Sequence, residues 1–213
     1  MKKARSTPLE GKISQTTDRG HARASEILAA AHEVFVRDGY GGFSVRSVAA
    51  QLGMSLSNIQ HYYPSKDHLV QAMLLSAAAR YQTVIDEIVA GMPEASQLER
   101  FMAAMEMFLA DARQPMVGRT LVQMWAAALV DPLAAKTLAK IQRRERKTIL
   151  ELIRGISSEL SDAECEARAA LIVAQIEGLI LLHAGNRITP VSAAEHMDGA
   201  ARLSFRWLAT RKA

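Results

Sequence analysis

Residues 45–70 read "VRSVAAQLGMSLSNIQHYYPSKDHLV", and this stretch decides the fold. Val45, Val48, Ala49 and Leu52 recur at the spacing of one buried helix face, and Ser44 stands where an N-cap belongs. Gly53 turns the chain. Ser55 is placed to cap a second short helix, and Pro64-Ser65 to stop it and start a longer one. Ser, Asn and His, all weak helix formers, crowd the segment from Ser55 to Tyr62. On a wheel of roughly 100° per residue with Ser57 at zero, Leu56, Ile59 and Tyr63 fall between roughly 200° and 260°. Ser57, Asn58 and His61 fall between roughly 0° and 100°, with Gln60 and Tyr62 on their flanks. One side of this helix holds it to a scaffold. The other presents uncharged donors and acceptors.

That polar face suits base edges in a major groove, where Asn and Gln pair bidentately with adenine and Ser with several partners. Two helices joined by a short turn containing glycine form a helix-turn-helix, whose second helix enters the groove. Ser44 and Arg46 at the start of the first helix, and Lys66 at the start of the helix after Ser65, sit where helix N-termini can hold phosphates. A plain surface helix also has a polar face, so pattern alone leaves both readings open.

Charge distribution adds to the argument. The 213-residue chain carries a net charge of +4. Residues 1–25 hold Lys2, Lys3, Arg5, Lys12, Arg19 and Arg23 against Glu10 and Asp18, which accounts for the entire excess. The expectation is a flexible basic arm over 1–20 that is drawn to a polyanion. A solvated tail would have the same composition.

One cysteine, Cys165, rules out an internal disulfide or a cysteine-built metal site and fits a reducing, cytoplasmic setting. The apolar runs are broken at Gln175 and Glu177, so no membrane span is expected, and the N-terminus lacks the apolar core of a secretory signal. There is no paired acidic motif, no Glu-x-x-His pair and no nucleophile with a plausible base, so no catalytic, metal or cofactor site is expected.

Apolar periodicity predicts helices throughout and no alternating strand pattern. The first spans about Arg23 to the glycines of "RDGYGG". After the three short ones come helices over Lys66–Val89, Ser96–Ala112, Met116–Leu129, Asp131–Ile156, Asp162–Ala184 and Val191–Thr210. The fold class is all-α with about nine helices. The expected division is an arm over 1–20, a helix-turn-helix domain over 21–72 and a larger ligand-binding and dimerisation domain over 73–213.

Taken together, the stretch "ILAAAHEVFVRDGYGGFSVRSVAAQLGMSLSNIQHYYPSKDHL" closely resembles the DNA-binding domain of TetR-family transcriptional regulators. Ile27-Leu28, Ala31, Phe35, Gly39-Tyr40, Ser44-Val45, Val48-Ala49, Gly53-Met54-Ser55, Ile59, Tyr62-Tyr63, Ser65-Lys66-Asp67 and Leu69 keep the family spacing without a gap. Leu52, Gln60 and Tyr63 depart from the usual residues. The resemblance implies a homodimer on a near-palindromic operator, in most cases a repressor released by a small-molecule effector. By position it assigns Ser55, Ser57, Asn58, Gln60 and His61 to bases, and Ser44, Arg46, Tyr62 and Lys66 to phosphates.

Residues 169–182, "AALIVAQIEGLILL", are apolar nearly all round, as in a helix buried on two sides. With the last helix it is expected to form the dimer bundle seen in the resembled family, through Ile172, Ile176, Leu179, His183 and Phe205. A pocket is expected between the middle helices, lined by Phe101, Met105, Phe108, Met124 and Trp125, since methionine-rich walls adapt to varied ligands. Core packing explains the same residues equally well. The segment from Trp125 to the end of "IEGLILLHAG" is also similar to the C-terminal domain of choline-responsive repressors of betaine synthesis. An aromatic cage for such a cation would draw on a chain that is only 5% aromatic. The cluster Arg143, Arg144, Arg146 and Lys147 reads as a solvated helix face.

Overall fold

Nine α-helices make up all the regular structure among the described residues of the computed structural model, which are 18–184 and 191–211, the side chains of 191–194 excepted. They are α1 (Asp18–Gly42), α2 (Val45–Leu52), α3 (Leu56–Tyr62), α4 (Lys66–Ala90), α5 (Gln97–Ala112), α6 (Pro115–Ala128), α7 (Pro132–Ile153), α8 (Asp162–Ala184) and α9 (Val191–Thr210). The all-α class holds as the periodicity predicts. The chain divides into two compact units, the first ending at Ala77 and the second starting at Ala78, so the division falls inside α4.

In the first unit α1 starts earlier than its apolar pattern indicates. It begins at Asp18, whose carboxylate in the first turn complements the helix dipole. Residues 18–20 of the expected arm therefore belong to a helix, and residues 1–17 lie outside the described residues. At the other end Gly39 takes φ 70°, ψ 172°, a break that only glycine adopts without strain. The chain then makes one more turn, and the Phe43 N–H donates to the Gly39 carbonyl at 3.0 Å.

This break folds Tyr40 and Phe43 back on the helix, each with its ring edge-on to Phe35, at 6.3 and 6.0 Å between centroids. Phe35, Phe43, Ile27, Ala31, Val34, Val48, Ile59 and Leu69 are the sealed core. α3 contributes only Ile59 to its fully buried set. Truncating that one side chain to alanine removes about 2–5 kcal/mol, enough to release a helix of seven residues.

The second unit is a helix bundle with well-satisfied ends. Ser96 and Glu99 form a reciprocal capping box on α5, and Ser161 and Glu164 do the same at the start of α8. Asp131 caps α7 by accepting from the Leu133 and Ala134 N–H groups, with Pro132 pre-set in the first turn. The Gln97 amide donates to the Leu152 and Arg154 carbonyls at 3.0 and 2.6 Å, closing the other end of α7.

The core gathers Phe101, Met105, Ile149, Ile153, Ile172 and Phe205. α6 approaches α8 so closely that a Cβ on Gly118 would lie 2.5 Å from the Ala184 Cβ. Arg202 pairs with Glu106 at 2.6 Å and Arg113 with Asp198 at 2.5 Å, tying α9 to α5 and to the residue that follows it. None of the nine helices is long and apolar enough to cross a membrane, among the described residues.

Candidate nucleic-acid interface and effector region

The interface is set by two caps and a turn. Ser44, in extended conformation, accepts from the Ser47 N–H at 3.0 Å and shares a 2.6 Å hydrogen bond with the Ser47 hydroxyl. α2 ends at Gly53, which sits at φ 63°, ψ 25°; its N–H donates to the Ala50 carbonyl, and the Met54 N–H donates to that of Ala49. That paired closure needs a left-handed residue and makes the turn tight. Ser55 then caps α3 by accepting from the Asn58 N–H at 3.3 Å.

The result is a three-residue link from α2 to α3, with both helices anchored on the same core. Ile59 is sealed inside, and Tyr63 closes the back of α3. Burial, and then the neighbouring Tyr62, push the Tyr63 phenol up to about 12, and its hydroxyl donates to the Ala24 carbonyl at 3.4 Å.

Ser55, Ser57, Asn58, Gln60 and His61 are all exposed on one face of α3. The side chains of Asn58 and Gln60 make no hydrogen bond among the described residues, and His61 only rests edge-on against Tyr62 at 5.5 Å. Arg46 is exposed on α2. Lys66 is different from the phosphate clamp expected of it. Its ammonium donates to the Tyr40 carbonyl at 2.6 Å and lies 4.6 Å from the centre of that ring, so it first ties the start of α4 to the end of α1.

Beside α3 runs an open groove of about 350 Å³, lined by Arg23, Gly53, Met54, Ser55, Asn58, His61 and Tyr62. Sequence reasoning had counted Arg23 only as one charge of the arm.

In the second unit the residues expected to line a pocket do not come together as a set. Phe101, Met105 and Met124 are closed into the core, while Trp125 is 39% exposed on the outside of α6. Their spacing is that of ordinary packing. Phe108 does face an interior polar region, stacked on Tyr81 at 5.8 Å between ring centres. Burial, Asp111 and Glu145 hold the Tyr81 phenol well above its ordinary range. Glu145 is pushed up to about 7 by burial and then by Glu177, with Arg146 opposing. Glu177 accepts from the Gln142 amide at 3.0 Å.

Glu145 escaped the sequence reading because it stands among arginines in "QRRERK". The signal was there: Leu138, Ile141, Glu145, Thr148 and Leu152 share one helical stripe.

The expected dimer contacts also need correction. Ile172, Ile176, Leu179 and Phe205 are buried within the single chain, and His183 lies mostly enclosed, 3.8 Å from the Asp198 carboxylate. The apolar stripe that reaches the surface is the opposite one. Leu171 is 57% exposed, Leu203 71% and Trp207 49%, with Ala174 and Ala200 exposed beside them. A helix apolar all round has two such stripes, and sequence alone did not say which one its own core takes.

Comparison with known proteins gives two family matches. The model for the tetR family of bacterial regulatory proteins matches residues 27–73, and that for the C-terminal part of BetI-type transcriptional repressors matches residues 97–203, half of the chain. An HTH-type transcriptional regulator from the dhlA 5′ region of Xanthobacter autotrophicus is 27% identical over 181 residues, 84% of each protein. A transcriptional regulator from Pseudomonas aeruginosa PAO1 superposes with a TM-score of 0.70 at 22% identity, over 94% of this chain and all of that one. One from Saccharomonospora viridis, solved in complex with choline, gives 0.63 at 22% identity, over 84% of this chain and 95% of that one.

Proposed function

The chain belongs to the TetR family of bacterial transcriptional regulators, and on that footing we propose that it is a dimeric repressor released from a palindromic operator when a small molecule enters the second unit. One observation carries the base-reading assignment. Asn58 and Gln60 stand exposed on α3, their side chains with no hydrogen bond among the described residues, while Ile59 beside them is fully buried. Polar groups left without partners on a firmly seated helix are available to base edges. Ser55, Ser57 and His61 extend that face. Ser44, Arg46, Tyr62 and, once it turns from Tyr40, Lys66 would meet phosphates on either side. Two copies joined through Leu171, Ala174, Leu203 and Trp207 would present two such helices to half-sites about one helical turn apart.

The effector region is the interior around Tyr81, Phe108, Glu145 and Glu177. A carboxyl group whose pKa is raised by burial and a like charge is a functional-site candidate with a physical rationale. α4 carries Tyr81 in the second unit and Leu69 in the first, so an effector contact that biases α4 would reach the recognition helix. Choline occupies the Saccharomonospora neighbour, which makes it the first molecule to try here.

Binding-site selection with the purified protein tests the reading. A palindromic site should emerge and be bound well above random duplex. Asn58→Ala should lose about 1–3 kcal/mol at one base position and leave the others unchanged. Equal binding to selected and random duplexes would end the proposal.

A further inference from the structure

The groove beside α3 has a charge that the base-reading helix does not explain. Among its described lining residues Arg23 is the one permanently charged side chain; the others are the Gly53-Met54 turn, Ser55, Asn58, His61 and Tyr62. Arg23 comes from the second turn of α1, a different element from the helix-turn-helix, and is half exposed. Its guanidinium is held by Glu26, one helical turn on, at 2.5 Å. The pair is exposed, so it is weak and reversible. The groove opens next to Asn58 and His61, on the side of α3 nearest α1, where a strand bordering an occupied major groove would pass. An arginine with neutral donors such as a tyrosine and a serine hydroxyl is chemistry for a singly charged oxyanion.

We propose that this groove receives one backbone phosphate of the bound DNA, with Arg23 as its cation, and that Glu26 competes with the phosphate for the same guanidinium. This rests on the DNA-binding reading above and adds to it a contact from outside the helix-turn-helix and a built-in competitor. On binding, the Arg23–Glu26 pair opens and the guanidinium turns to the phosphate. Glu26 is left solvated, which is inexpensive at this exposure. Removing the competitor therefore tightens binding, whereas removing the cation weakens it. Neither change alters which sequence is preferred, because a phosphate contact carries no sequence information.

The test uses the full-length protein with its selected duplex and a random duplex of equal length, titrated at several salt concentrations. Arg23→Ala should flatten the slope of log binding constant against log salt by about 0.9 for each protomer bound, so that the affinity deficit grows about eightfold per protomer for each tenfold fall in salt. The loss should be the same on both duplexes. Glu26→Gln should tighten both by a similar route. Circular dichroism and melting of each variant, both exposed substitutions, guard against misfolding.

A wild-type salt slope in Arg23→Ala would overturn the phosphate assignment, as would a loss confined to one base position. Unchanged affinity in Glu26→Gln would overturn the competition. If the wild-type protein itself prefers no duplex, the DNA-reading proposal fails instead, and the two failures are thereby told apart.

Discussion

Replacing Glu145 with glutamine should make the protein more stable at pH 8 than at pH 4.5, measured relative to wild type. In the folded chain this carboxyl group holds its proton up to about pH 7, against an ordinary value of 4.5. Burial is the main cause and the Glu177 carboxylate the second. Between those two pH values the folded state binds a proton that the unfolded state has released. Stability contributed by Glu145 therefore falls as pH rises through that window, and is level below and above it. At about 1.36 kcal/mol per pKa unit, the full difference is on the order of 3 kcal/mol above pH 7.

Glutamine keeps the shape and stays neutral, so the variant escapes this loss. The assay is urea unfolding of both proteins from pH 4.5 to 8 at one fixed protein concentration, since any dimer makes apparent stability concentration-dependent. The gap between variant and wild type should open by roughly 3 kcal/mol across the window, with the midpoint of the change between pH 5 and 7. Glu177→Gln should narrow the window by removing the neighbouring charge. Parallel curves for Glu145→Gln and wild type at every pH would refute the claim that a buried, charge-crowded carboxyl sits in this bundle.

Gly118→Val should destabilise the second unit by about 1–3 kcal/mol in thermal or urea unfolding, because its Cβ would meet Ala184 at 2.5 Å. Gly53→Ala meets no neighbouring atom, yet it should still lose about 1–2 kcal/mol, since its φ of 63° disfavours any residue with a Cβ. Leu203→Glu should leave the fold intact and shift sedimentation toward monomer, because Leu203 is 71% exposed.

How much of this was legible beforehand depends on the type of signal. The caps Ser44 and Ser55, the turn at Gly53 and the inward Ile59 follow from local chemistry, and each falls where the spacing puts it. Local signals are read from a few neighbouring residues. Which face of α8 turns inward was not legible because its hydrophobic pattern is nearly isotropic, and an isotropic pattern has no preferred face. Only packing against α5, α6, α7 and α9 breaks that symmetry, turning Ile172 and Ile176 inward and Leu171 outward. The engagement of Lys66 within the chain was hidden for a related reason. Its charge was visible, but the Tyr40 carbonyl that engages it lies 26 residues away in the chain, just past the glycine break that ends α1's regular helix. The cluster at Tyr81 was missed because its members, Tyr81, Asp111, Glu145 and Glu177, lie on separate helices, α4, α5, α7 and α8.

The unbonded side chains of Asn58 and Gln60 have a further consequence, for descent. Since no described residue bonds to them, substitutions there should shift stability by no more than about 0.5 kcal/mol. After a gene duplicates, one copy can drift at these positions and acquire a new target while remaining folded at every step. The scaffold residues Ile59 and Gly53 have no such latitude. Lineages diverging from this protein should therefore vary fastest on the outward arc of α3 and slowest on the residues directly behind it, so that regulatory circuits can be rewired without the protein passing through an unfolded ancestor.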